Sequence, residues 1–112
     1  MSFQAFDVIV LPFPYSDQLA EKRRPALVIS DPELERRCGL IWVAMITSAG
    51  RTRLLGDCQI QDLKAAGLPA ASTLRAGKLA TIEPQRVLRK AGRLSTNDRN
   101  AAKDALRSCA AF

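Results

Sequence analysis

The sequence predicts a mainly β fold, a small barrel followed by one C-terminal helix. Three observations support it: short apolar runs rich in β-branched residues, proline- and glycine-bearing connections between them, and a helical period confined to the last stretch of chain. The size agrees. A chain of 112 residues, 47% hydrophobic and 25% charged, holds a single globular domain, 1–112, with no room for a separate cofactor-binding unit.

The first strand is read over Asp7-Val8-Ile9-Val10-Leu11 and is expected to end at Pro12 and Pro14. Residues 14–24 (PYSDQLAEKRR) are polar and charged, as in a surface loop. Pro25 forces Arg24 into an extended conformation, and a strand over Ala26–Ser30 follows. Asp31–Gly39 is a polar connection with one helical turn after Pro32. Leu40–Thr47 is the most apolar run, so it and Ala26–Ser30 are expected at the centre, covered on both faces. Ser48–Arg53 is a short basic loop. Gly56–Asp62 alternates like an edge strand, and Asp62–Ser72 is a connection with a helical turn. Thr73–Ile82 is a strand bent at Gly77, and Val87–Leu94 is the last strand. Ser95 and Asp98 form a capping box, after which Ala101, Ala102, Ala105, Leu106, Cys109 and Ala110 line one helical face.

Composition narrows the chemistry. Seventeen basic against eleven acidic side chains leave a formal charge of +6, which favours an anionic partner. The sequence has no histidine, which excludes histidine acid–base catalysis, Ser-His nucleophiles and histidine-ligated zinc. Cys38, Cys58 and Cys109 are odd in number and widely spaced, so reduced thiols in the cytoplasm are expected. No secretory signal is expected, since Asp7 interrupts the N-terminal region and the first basic residue, Lys22, follows the apolar run. No segment approaches the ~20 apolar residues that cross a bilayer, so no membrane partner is expected. Cys109-Ala110-Ala111-Phe112 has the form of a prenylation site, but no polybasic segment precedes it and an alanine-rich helix end accounts for it.

Strand pairing locates a site. If the two central strands pair antiparallel across Asp31–Gly39, the numbers of opposed residues sum to about 70. Arg24 then faces Ile46 or Thr47, and a cation meets the hydroxyls of Thr47 and Ser48 at the sheet edge.

The segments Asp7-Val8-Ile9-Val10, Pro12-Phe13-Pro14 and Lys22-Arg23-Arg24-Pro25-Ala26-Leu27-Val28-Ile29-Ser30 resemble the MazF/PemK toxins. So do Ala44-Met45-Ile46-Thr47-Ser48, Lys78-Leu79-Ala80-Thr81-Ile82 and Val87-Leu88-Arg89-Lys90-Ala91-Gly92-Arg93-Leu94-Ser95. Each segment is weak alone, but together they cover nearly the whole chain in order. The resemblance implies an SH3-like barrel, a homodimer, and the toxin of a type II toxin–antitoxin system. It implies metal- and ribosome-independent cleavage of single-stranded messenger RNA, without cofactors, and neutralisation by a cognate antitoxin carrying an acidic segment. The family's catalytic arginine falls on Arg24 and its threonine on Thr47, the pair that strand geometry brings together independently.

RNA supplies its own nucleophile, so such an enzyme aligns the 2′-hydroxyl and stabilises charge on the phosphate. Arg24 suits the anion but is a poor base, Thr47 and Ser48 are the orienting hydroxyls, and Glu21 is the candidate proton acceptor. Arg23, Arg51, Arg53, Arg75 and Lys78 are candidates for following the RNA backbone, and Tyr15 for stacking on a base. Phe13 is expected in the core, and Trp42 in the core or at a dimer interface. A CcdB-like poison of DNA gyrase would share the fold, but Cys109–Phe112 lacks the Trp-Gly-Ile ending associated with that action. A non-catalytic nucleic-acid-binding module is the other alternative.

Overall fold

Along the central strands successive side chains point to opposite faces, and here both faces are apolar. The computed structural model describes residues 2–13, 22–50 and 53–112. It contains β1 (Asp7–Phe13), β2 (Lys22–Val28), α1 (Pro32–Cys38), β3 (Ile41–Ser48) and β4 (Asp57–Gln59). There follow α2 (Leu63–Ala66), β5 (Ser72–Ile82), a 3-10 turn (Pro84–Arg86), β6 (Arg89–Arg93) and α3 (Thr96–Cys109). The strands form one antiparallel sheet in the order β4-β5-β3-β2-β1-β6. Val8, Leu27, Ala44, Ile46 and Leu74 enter a core shared with Ala102 of α3 and Ala66 of α2. Ile9, Leu11, Ala26, Val28, Ile41 and Val43 enter a second core with Phe3 on the other face. The alternation that appears as an unbroken apolar run in the sequence is the signature of these two cores.

Helices, not a further strand ladder, connect the two edges of this sheet, giving an SH3-like barrel with a C-terminal helix. The end of α2 lies so close to β6 that a Cβ on Gly67 would fall 2.0 Å from the Ala91 carbonyl oxygen. Gly67 also terminates α2 at φ +70, which a side chain would strain. Asp98, 2% exposed, accepts the Gln61 amide at 3.0 Å and the Asp62 amide at 2.9 Å, joining α3 to the chain after β4. At the other edge buried Asp7 receives Arg93 Nη1 at 2.7 Å and Lys90 Nζ at 3.1 Å, clamping β1 to β6.

Several expectations shift. Strand β1 does not stop at Pro12 but runs to Phe13. The Val10 carbonyl faces β6, where it accepts the Leu88 amide, and Pro12 faces the same way beyond the last β6 partner, Arg89. Its missing N–H therefore costs no ladder bond. Strand β2 begins at Lys22, so Arg24 and Pro25 lie within it, and it ends at Val28 instead of Ser30. There the Ser30 hydroxyl takes over, accepting the Trp42 amide at 3.0 Å. α1 is two turns, capped by Asp31 and ended by Gly39 at φ 69. Trp42 is not in the core: it is 51% exposed, beside the equally open Leu79. The capping box is half made. Ser95 Oγ accepts the Asp98 amide at 3.2 Å, while the Asp98 carboxylate turns to residues 61–62. The small-residue face of α3 is closely packed at Ala102, half-buried at Ala101, Ala105 and Leu106, and open at Cys109 and Ala110.

Asp98→Ala leaves two amides at the α3 junction without their acceptor. It is expected to cost about 2–3 kcal/mol of stability, read from urea unfolding. A loss below about 0.5 kcal/mol, the usual range for surface substitutions, would contradict the junction's role.

Candidate active site

Pro25 shapes the site. It is opposite Val10 of β1. Since the Val10 carbonyl faces β6, Pro25 must face β3, and it offers β3 no N–H. The ladder between β2 and β3 runs from Val28↔Val43 through Ala26↔Met45 and stops there. The same register, continued two residues, sets Arg24 opposite Thr47. The two strands are no longer laced together at that point, and both residues border the resulting opening.

Arg24 and Thr47 line a cleft of about 650 Å³ with Met45, Arg75, Gly77 and Lys78. They also line a smaller hollow at the sheet end with Arg23, Pro25, Ser48 and Ser72. The far wall comes from an irregularity in β5. Ala44 is opposite Leu79, but Met45 is opposite Arg75, so Ala76, Gly77 and Lys78 form an extra loop of strand. That bulge bends β5 where Gly77 stands and turns Lys78 to the opening.

Register also shows which side chains share a face. Thr47 is opposite Thr73 of β5, which is opposite Gln59 of β4. Met45 is opposite Arg75, which is opposite Asp57. Both rows continue the sheet face whose other end is the Phe3 core, so one face passes from Ile9, Ala26 and Val43 to Arg24, Thr47, Thr73 and Arg75. With strands ~4.8 Å apart, these rows cross the sheet as a polar track.

Among the predicted site residues, the structure thus gathers Arg24, Thr47, Arg75 and Lys78 at one cleft, with Arg23 and Ser48 at its margin. Arg53 stands elsewhere, in a separate hollow with Asp57, Cys58, Gln59 and Thr73. Tyr15, Glu21 and Arg51 lie outside the described residues. Met45 and Asp57 were not singled out by sequence; the bend at Gly77 was the available signal for the bulge. Arginine forks and a threonine hydroxyl around an open cleft can bind and orient a phosphodiester. Among the described residues no group of three or more Cys, Asp or Glu stands together to hold a metal ion. None of the described helices is long and apolar enough to cross a membrane.

A family model described as PemK-like, MazF-like toxin of type II toxin–antitoxin system matches residues 4–109. No curated protein matches the chain. Among solved structures, it is similar to an endoribonuclease in complex with its cognate antitoxin from Mycobacterial species, at TM-score 0.75 and 15% identity, covering 96% of this chain and 94% of that one. It is similar to the Mycobacterium tuberculosis toxin MazF-mt6, at TM-score 0.73 and 19% identity, covering 92% and 94%. A MazE-MazF structure from Deinococcus radiodurans gives TM-score 0.74 at 17% identity, covering 96% and 95%.

The three cysteines are unpaired. Burial pushes the Cys58 thiol up, with Asp98 adding to the effect. Since the thiolate is the reactive form, Cys58 is expected to alkylate with iodoacetamide more slowly than exposed Cys38 at pH 8, and to catch up only at higher pH. Equal rates at pH 8, measured by peptide mass spectrometry, would contradict this environment.

Proposed function

Because the chain belongs to the PemK-like, MazF-like toxin family of type II toxin–antitoxin systems, we propose that it is a metal-independent, ribosome-independent endoribonuclease that cuts single-stranded messenger RNA. The observation that carries the reading is Arg24 and Thr47 facing one cleft, beside Arg75 and Lys78.

In this reading the scissile phosphate lodges between β2 and β3. Its 2′-oxygen attacks the adjacent phosphorus, the bond from phosphorus to the 5′-oxygen breaks, and the products are a 2′,3′-cyclic phosphate and a 5′-hydroxyl end. The 2′-hydroxyl gives its proton to a base, for which Glu21 is the candidate, and the leaving 5′-oxygen takes one up. The Arg24 guanidinium, half-buried and permanently charged, stabilises negative charge growing on the phosphoryl oxygens. The Thr47 hydroxyl holds the phosphate or the attacking hydroxyl in line. Arg75, Lys78 and Arg23 follow the backbone on either side. The partners are a cognate antitoxin, whose acidic segment competes for this basic cleft, and a second copy of the chain.

Cleavage of a long RNA by the purified protein is expected to persist in EDTA. Arg24→Ala should lower the rate about 100-fold or more, the scale for losing one oxyanion donor. Mapped cut ends carrying a 5′-phosphate, or undiminished cutting by Arg24→Ala, would contradict the mechanism.

A further inference from the structure

We propose that Asp57 is a positioning residue for the reaction, acting through Arg75; this rests on the endoribonuclease reading above. Asp57 is opposite Arg75 in the ladder between β4 and β5, and Arg75 in turn is opposite Met45 of β3. The three therefore share one face of the sheet, the face that carries Thr47. Arg75 lies diagonal to Thr47, within the ~7–8 Å that long side chains span between diagonal positions. Arg75 lines the cleft with Arg24 and Thr47.

Asp57 is an unusual occupant of an edge strand. Its side chain is only 3% exposed, and its carboxylate stands 3.8 Å from Arg75 Nη1, itself on a side chain 17% exposed. Burying a carboxylate is costly unless a cation and hydrogen bonds compensate it. One oxygen, Oδ2, is fixed by the Leu54 amide at 2.9 Å, within a turn closed by the Asp57 amide on the Leu54 carbonyl. Gly56 holds that turn at φ +85 against Cys109, where a Cβ would come within 2.4 Å of the sulfur. The second oxygen, Oδ1, is buried and accepts no hydrogen bond among the described residues. The carboxylate is thus rigidly held, and it retains acceptor capacity on the side chain whose cationic neighbour is Arg75.

That arrangement biases where the Arg75 fork points, through an ion pair and not a hydrogen bond. A long arginine bordering a groove has several rotamers, and selecting one when RNA binds costs conformational entropy. An anion fixed behind it selects the rotamers that present the guanidinium to the cleft before RNA arrives. The cost of such an anion is electrostatic: a negative charge beside a groove for a polyanion weakens binding. Such an anion serves catalysis where orientation is worth more than affinity.

The test compares wild type, Asp57→Asn, Asp57→Glu, Arg75→Ala and the double variant Asp57→Asn/Arg75→Ala on one defined RNA, with kcat and KM separated. Asp57→Asn is expected to lower kcat on the order of tenfold. Its KM should stay equal or fall, because a charge repelling RNA is gone. Asp57→Glu should recover part of the rate. The double variant should be no slower than Arg75→Ala alone. If Asp57→Asn does not fold, Asp57→Ser, which removes the charge without adding bulk, replaces it. An enzyme that cuts RNA with unchanged kcat in Asp57→Asn, or with independent losses from the two residues, would overturn this inference and leave the parent reading intact. A wild-type protein that cuts no RNA would overturn both.

Discussion

A missing hydrogen-bond donor organises this molecule. Pro25 sits inside a strand flanked on both sides, where every other residue could lace to a neighbour. Facing β3 without an N–H, it ends that ladder at Ala26↔Met45 and lets the two strands part. The opening is bounded by the last laced pair on one side and by Arg24 and Thr47 on the other. An N–H at that position would favour extending the ladder and closing the space. The backbone chemistry of one residue thus creates the place where the side chains of its neighbours can work.

The sheet's two-sidedness explains why the opening faces outward with the right chemistry. One face is apolar along β1, β2, β3 and β5, filled from α2 and α3. On β2 and β3 the other is apolar only as far as Ala26 and Val43, and then becomes Arg24 and Thr47, with Thr73 and Arg75 beside them on β5. The apolar half anchors the strands, so the polar half is carried on a rigid support, as the proposed phosphate-orienting role requires. The bulge at Ala76–Lys78 adds a cation without another element, since Gly77 and Lys78 reach the cleft wall while Ala76 stays buried.

Much of this was legible in the sequence, for identifiable reasons. The strand-pairing sum predicted about 70 and the structure has 71 at Ala26↔Met45, close because a compact connection leaves little freedom of register. The bend at Gly77 was readable, as glycine inside a strand pattern weakens regular pairing. Pro12 misled, because whether a strand tolerates proline depends on which edge its nitrogen faces, a property of the neighbouring strand. Of the two places expected for Trp42, the core is ruled out by its exposure, because an apolar run does not reveal how far along the strand the core extends. Asp57 was invisible as a site residue: its relation to Arg75 exists only through the ladder between β4 and β5, and nothing local marks a buried carboxylate in a three-residue edge strand.

In the proposed mechanism Arg24 and Thr47 act on one phosphate as a unit. Single-turnover cleavage rates for wild type, Arg24→Ala, Thr47→Val and the double variant measure this directly. If the two side chains serve the same transition state, the double variant should be scarcely slower than the worse single one. Losses that multiply independently would mean that the two residues serve separate sites, and the account would be wrong at its core.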